Sequence, residues 1–316
     1  MHQILPFKLD PTYREYVWGG KKLRPDADRT AEAWVVYEQD RIADGLLQGL
    51  TLGQASQKHP KTLLGSTVIA QTGSKFPLLI KILDCAKWLS LQVHPNNDQA
   101  VRWEGPNHYG KMEGWYVIDA EKGAQLISGF KPGISREQIQ VCVGKKSLLD
   151  LVDWKKVKKR DSILIKPGTL HALGPGLLIY EVQQTSDITY RVYDWDRPKK
   201  DGRKLHIEQA ADVLDPRADG SLNATDPQFS GVKTLFTCPF FELELIAQLA
   251  APHQREPQSE SFEALTIVQG DGVICGDGWQ RSLKCFETLI IPASVHEYQI
   301  QLQEGVCLCA RVPAKT

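Results

Sequence analysis

Two imidazoles, one carboxylate and one carboxamide stand at spacings that suit a metal site. They are Gln92 and His94 in Leu91-Gln92-Val93-His94-Pro95, Glu113 in Gly110-Lys111-Met112-Glu113, and His171 in Pro167-Gly168-Thr169-Leu170-His171. Nitrogen and oxygen donors of this kind suit Zn²⁺ or a similar divalent ion. Gln92 and His94 are two apart, so on a β-strand they share a face. Glu113 opens the strand-like run Trp115-Tyr116-Val117-Ile118, and His171 follows Ile163-Leu164-Ile165 and a Pro-Gly turn. Ligands held on several strands would line the mouth of a β-barrel.

The elements that must position these residues are mainly strands. Residues 163–171 (Ile-Leu-Ile-Lys-Pro-Gly-Thr-Leu-His) align without a gap on residues 288–296 (Thr-Leu-Ile-Ile-Pro-Ala-Ser-Val-His), which makes an internal repeat. Upstream, Glu113-Gly-Trp-Tyr-Val-Ile corresponds loosely to Glu263-Ala-Leu-Thr-Ile-Val. The first copy is longer, and the extra residues fall in 131–157. There Ser135 is placed to cap a helix from Arg136 to Val141, and Ser147 one from Leu148 to Val152. A further helix is expected over Ile207–Leu214, ending before Pro216, and Asp98 is expected to cap another. Asp215 to Phe229 reads as a connector. Beyond it, strands are expected over Phe240–Ile246, Ala264–Val268 and Thr288–Ile291, with turns at Gly270-Asp271-Gly272 and Gly276-Asp277-Gly278.

Bulk properties exclude several functions. The 316 residues suffice for two ordinary domains, and 38 basic residues balance 38 acidic ones. No net field therefore draws the chain to nucleic acid or an anionic membrane. The basic run Lys155 to Arg160 lacks aromatic company and reads as a solvated helix end or loop. No apolar run is long enough to span a bilayer, and Met1 to Lys8 lacks the pattern of a secretory signal. Seven unpaired-looking cysteines fit a reducing cytoplasm. Cys307 and Cys309 should share one face of a strand. His108 reads as a loop residue and His296 as a structural or surface one.

A strand, a Pro-Gly turn and then a histidine resemble the second motif of the cupin superfamily. Gln92, His94 and Glu113 take the places of its first motif. The implied fold is mainly β: two cupin-like (jelly-roll) β-barrel units, the first with a small helical insertion. The expected domains are 1–215 (catalytic, insertion around 131–157), a connector over 216–229, and 230–316, a β domain without metal because no Gln-x-His or His-x-His precedes Glu263.

The surroundings also resemble one family, the type I mannose-6-phosphate isomerases, in their short bacterial form. The resemblance rests on Ser90 to Pro95, Gly110 to Glu113, Pro167 to Ala172 and Gln183 to Asp194, together with Trp18-Gly19-Gly20 and Ala31-Glu32-Ala33-Trp34. It runs from about residue 7 to about residue 210 and is only general beyond. It implies one zinc ion per chain on Gln92, His94, Glu113 and His171, with Arg191, Lys111, Ser90 and Lys81 in the pocket. Met112 departs from the usual residue between Lys111 and Glu113, but its side chain alternates away from the metal.

Converting an aldose to its ketose requires a proton to leave one carbon and return to its neighbour through an enediolate. Lys111, two residues before a metal ligand, and Glu181, on the strand after His171, are rival bases. Lys111 is otherwise a phosphate or hydroxyl contact and Glu181 an orienting group. Arg191 suits phosphate or the enediolate, and Ser90 and Lys81 suit phosphate. The implied partner is a sugar-phosphate substrate, with no nucleic acid or membrane, and a monomer or weak homodimer. Two alternatives stay open: a sugar-phosphate sensor or scaffold that lacks turnover, and another metal-dependent cupin enzyme such as an iron oxygenase.

Overall fold

Strands dominate the computed structural model, which describes residues 3–198, 203–257 and 260–314. Met1 and His2 therefore lie outside the described residues. Contacts divide the chain into two units. A central unit comprises residues 13–32 and 83–225, and a C-terminal unit comprises residues 1–12, 33–82 and 226–316.

The central unit carries the residues of interest on two antiparallel sheets. One contains the strands Leu222–Asn223, Ser162–Ile165, Glu113–Ala120 and Leu177–Gln184, in that order. The other is ordered Tyr190–Tyr193, Leu91–Val93, His171–Leu173, Gln125–Phe130 and Val152–Lys156. The second sheet is buried on both faces, and the period of two decides which side chain goes where. Leu91, Val93, Leu170, Ala172, Tyr190 and Val192 enter an outer core with Ile139, Leu148, Ala210 and Val213 from helical segments. Leu126 and Leu173 point the other way, into an inner core with Trp115, Val117, Ile163 and Ile165 of the first sheet. Gln92, His171 and Arg191 have the inward parity. Burying both faces leaves room for polar groups only where they satisfy one another.

The helical insertion forms, with a changed second half. Ser135 caps Arg136–Cys142 through a capping box with Gln138. The expected second helix is instead a short 3-10 turn, Lys146–Asp150, with Lys145 at its cap and no side-chain cap bond. Val152 opens a strand that pairs with Gln125–Phe130, because Val152 and Trp154 pack on the outer core. The helix near residue 207 spans Ile207–Val213. Asn97–Glu104 is capped by Asn96 with Gln99, and Asp98 lies in its first turn rather than at the cap. The connector is not featureless: Leu222–Asn223 pairs with Ser162 and Ile163. In the basic run, Lys155 is engaged by Asp153 and Asp219, and Arg160 is buried rather than solvated.

The C-terminal unit has a nine-stranded sheet. Its first strand in sequence, Phe7–Asp10, pairs with Thr288–Ile291, Phe7 opposite Ile290. This non-local pairing is why the expected boundary at 215 does not describe the packing. Glu263–Gly276 is one continuous strand against Tyr298–Arg311. The expected turn at Gly270-Asp271-Gly272 is instead an irregularity in the ladder, with Gly270 at φ +66°. The Asp277-Gly278 hairpin turn forms as expected. Cys307 and Cys309 share the buried face, and all seven cysteines are free thiols. Three helices at Leu52–Lys58, Pro60–Leu63 and Ser66–Thr72 were not expected, although Thr51 and Gln54 spell a capping box. No helix among the described residues is long and apolar enough to cross a membrane.

Candidate metal centre

Register brings the donors together. His171 lies opposite Gln92, and Gln92 opposite Arg191, so three neighbouring strands present these side chains in one row. Glu113, on the facing sheet, opens its strand opposite Ile165 on one side and Gln183 on the other. Its Oε1 lies 3.2 Å from His171 Nε2 and its Oε2 lies 3.3 Å from His94 Nε2. The Gln92 amide nitrogen lies 3.2 Å from His171 Nε2 and 3.5 Å from His94 Nε2. A tetrahedral ion with bonds of about 2.1 Å separates its ligands by about 3.4 Å. His94, Glu113 and His171 form a fully buried group at that scale.

The hydrogen positions decide what the group can hold. His94 Nδ1 donates to the Ile188 carbonyl at 2.8 Å, and His171 Nδ1 donates to the Thr169 carbonyl at 2.9 Å. Each ring therefore turns a bare Nε2 lone pair inward, as ligand imidazoles do. Burial, followed by the charge of Lys111, lowers the His94 pKa to about 3, so this imidazole is neutral at physiological pH. Burial works against the Glu113 carboxylate, but Lys111, His94 and His171 together hold its pKa well below the usual carboxylate range. Both oxygens of Glu113 are buried with no hydrogen-bond partner among the described residues. Two imidazole lone pairs and a carboxylate thus converge, with the Gln92 amide N–H and the Lys111 ammonium at their edge. Lys111 balances the charge of the carboxylate, but two inward Nε2 lone pairs beside two carboxylate oxygens make a donor set that fits a divalent metal.

The remaining expected residues are placed unevenly. Lys111 is buried with Nζ 3.4 Å from Glu113 Oε2. Its loop is clamped: Lys111 N donates to the Pro95 carbonyl, Met112 N to Gln184 Oε1, and Gly110 N to Asn97 Oδ1. A side chain at Gly110 would meet the Asn96 backbone at 2.5 Å, so the loop fits only as glycine. Ser90 is buried, its hydroxyl 3.4 Å from Gln92 Oε1. Arg191 is half-buried, and its Nε has no hydrogen-bond partner. Burial and the charge of Arg203 lower its pKa below the ordinary arginine value. Glu181 is on the same sheet face as Glu113, but its Oε2 accepts the indole N–H of Trp115 at 3.0 Å. The Trp115 ring in turn stands edge-on to His171, with centroids 5.4 Å apart. Lys81 falls in the C-terminal unit, buried, with its ammonium 4.9 Å from the Trp34 ring centroid; its place in the pocket rests on the resemblance. His108 is exposed on a loop. Gln184, Asn97 and Trp115 were missed as supports; the Gln183-Gln184 pair offered no signal beyond its family motif.

Known proteins are similar to this chain over nearly its whole length. The family description "Phosphomannose isomerase type I, catalytic domain" matches residues 6–123. A mannose-6-phosphate isomerase of Streptococcus mutans is 33% identical over 308 residues, covering 93% of this chain and 94% of the relative. One from Bacillus subtilis is 30% identical over 320 residues, covering 96% and 97%. The crystal structure of mannose 6-phosphate isomerase from Bacillus subtilis superposes with a TM-score of 0.84 at 29% identity, over 97% of this chain and 99% of that one. A structure from Archaeoglobus fulgidus, 20% identical, shares the fold at a TM-score of 0.76. With two curated relatives matched over nearly their full length, the chain belongs to the type I phosphomannose isomerase family.

Proposed function

We propose that the chain interconverts mannose 6-phosphate and fructose 6-phosphate through an enediolate, with zinc held by Gln92, His94, Glu113 and His171. The observation that carries this reading is the buried Glu113 carboxylate, bare on both oxygens and facing two Nε2 lone pairs. A zinc ion held there would polarise the substrate's O1 and O2 and balance the charge of the enediolate. Lys111 Nζ, beside Glu113 on a clamped loop, would act as the free amine once a metal cation is bound next to it, taking the proton from one carbon and returning it to the next. Arg191 offers a planar fork to phosphate or to the enediolate oxygens, and Ser90 offers its hydroxyl. Lys81 is assigned to phosphate. The Glu181 carboxylate is engaged by Trp115, which favours an orienting role over that of base. The protein is further proposed to work in a reducing cytoplasm, as a monomer or weak homodimer; its free thiols support the compartment.

The test is turnover of mannose 6-phosphate by purified protein, before and after chelation and after zinc is restored. Activity should vanish with chelation and return with zinc. Activity that survives complete metal removal, or no turnover with zinc fully bound, would overturn the reading.

A further inference from the structure

The C-terminal unit contains a second constellation built on the same registers. In the central unit Gln92, on the short strand Leu91–Val93, lies opposite His171, the first residue of its strand. In the C-terminal unit Arg255, on the short strand His253–Arg255, lies opposite Tyr298, also the first residue of its strand. Glu113 opens its strand opposite Ile165, the last residue of Ser162–Ile165. Glu263 opens its strand opposite Ile291, the last residue of Thr288–Ile291. The positions of Gln92, Glu113 and His171 are thus taken by Arg255, Glu263 and Tyr298, and that of His94 by Pro257.

This correspondence shifts the gap-free repeat by one residue at Ile165 and by two at His171. Lys166 separates Ile165 from Pro167, whereas Ile291 abuts Pro292. His296 is exposed and is not the counterpart of His171. Tyr298, 1% exposed, is.

The chemistry at the two places is opposite. Neither oxygen of Glu113 accepts a hydrogen bond, with Lys111 Nζ 3.4 Å from one of them, while both oxygens of Glu263 accept hydrogen bonds. Arg255 Nη2 donates to Glu263 Oε1 at 2.5 Å and to Glu244 Oε2 at 2.9 Å. Tyr298 donates its hydroxyl to Glu263 Oε2 at 2.5 Å. Arg311 Nη1 reaches Glu263 Oε1 at 3.1 Å, and Arg311 Nη2 reaches Glu244 Oε1 at 3.1 Å. We infer that the C-terminal unit is a second copy of the donor arrangement in which the guanidinium of Arg255 has replaced the ion. A guanidinium suits the substitution: its charge is permanent and its donors are fixed in a plane. Burying Glu244 and Glu263 without a cation would be costly. The unit therefore folds without metal, and the chain holds one ion. With Arg255 shortened, Arg311 would still hold Oε1 of each carboxylate, and the freed donors of Glu244, Glu263 and Cys309, whose donor atoms lie within 4.8 Å of one another, would take a divalent cation beside it.

The inference rests on the reading of the central cluster as a metal centre, and zinc counted per chain separates the two. Zinc content and Tm are measured for the full chain, with and without added Zn²⁺, in wild type, Arg255→Ala, Arg255→Lys and the double variant Arg255→Ala with Glu263→Gln. Wild type should hold one zinc; none would sink the metal-centre reading. Arg255→Ala should fall in Tm by several degrees, recover with Zn²⁺ and hold one zinc more than wild type. Arg255→Lys should keep the wild-type count. The double variant should lose both the extra zinc and the response. An Arg255→Ala protein that stays unfolded in saturating Zn²⁺, or whose zinc count and Tm response match wild type, overturns the inference.

Discussion

Replacing Gln184 by leucine should damage catalysis more than its distance from the donors suggests. Gln184 is buried, 5% exposed, and uses both ends of its amide. Oε1 accepts from Met112 N at 3.0 Å, and Nε2 donates to Asn97 Oδ1 at 3.1 Å. Leucine keeps the volume and removes both bonds. Each is worth about 1 kcal/mol net, and an N–H left buried at Met112 adds about 1–2 kcal/mol, so the loss of stability should be about 3–4 kcal/mol. The clamp also sets Lys111 Nζ at 3.4 Å from Glu113 Oε2. A displacement of about 1 Å at a reacting group can cost on the order of 10²-fold in rate. Gln184→Leu should therefore lower kcat by about 10- to 100-fold with a smaller change in KM. Gln184→Glu keeps the acceptor for Met112 and should lose less of both. Urea unfolding and steady-state kinetics on zinc-loaded protein measure the two effects. The decisive comparison is with Lys111→Met: in that background Gln184→Leu should add little further loss in kcat, because both act through one group. If the losses multiply, or if Gln184→Leu lowers stability and leaves kcat untouched, the clamp does not position Lys111.

Other perturbations separate the roles at the centre. Glu113→Gln should abolish zinc retention after dialysis and reduce activity by on the order of 10²-fold or more, since the one anionic donor is gone; full zinc occupancy in this variant would contradict the assignment. Glu181→Gln retains an oxygen for the Trp115 N–H and should cost less than about tenfold in kcat, whereas a loss of 10²–10⁴-fold, typical of a removed base, would make Glu181 the base. Burial raises the Glu263 pKa, but Arg255 and Tyr298 outweigh it and depress the folded value below 4.5. The unfolded chain then binds the extra proton first, so the stabilisation is present above about pH 4.5 and is lost as pH falls through the folded value. Glu263→Gln should flatten that acid limb of the stability profile, and an unchanged limb would remove Glu263 from the account.

Some of this was legible from spacing and some could not be. Gln92 lies on a short strand and His94 one residue past its end, and their spacing of two is the extended-chain parity that puts both on the inward side. The Pro-Gly turn before His171 shows where a strand restarts. The alternation Leu91, Val93 against Gln92 was readable too, but its cause was not: helical segments carrying Ile139 and Ala210 cover the outer face. Residue type also misled. Ser147 resembles a cap, yet Val152 and Trp154 gain more by packing as a strand. Asp98 resembles a cap, yet Asn96 forms the box with Gln99. The division of the chain was hidden because Phe7 pairs with Ile290, and nothing local to either residue announces a partner so far away.

The second constellation shows why a motif search has a blind side. Ligand motifs are found by residue type, and at the C-terminal centre the types have changed while the register has not. Arg255 stands where Gln92 does and Tyr298 where His171 does, so a search for Gln-x-His before Glu263 finds nothing and an absence is read as a missing site. The better question is what neutralises Glu263. A buried carboxylate at a strand start demands a cation, and two sources can supply it: an ion from solution or a guanidinium from the chain. The central unit has Lys111 beside Glu113, but its two inward lone pairs and a carboxylate without a hydrogen bond are donors for the first. The C-terminal unit, with Arg255 and Arg311 on the equivalent carboxylate, has the second. The electrostatic requirement is common to both, and only the unit that leaves the cation exchangeable keeps a place where a substrate oxygen could bind.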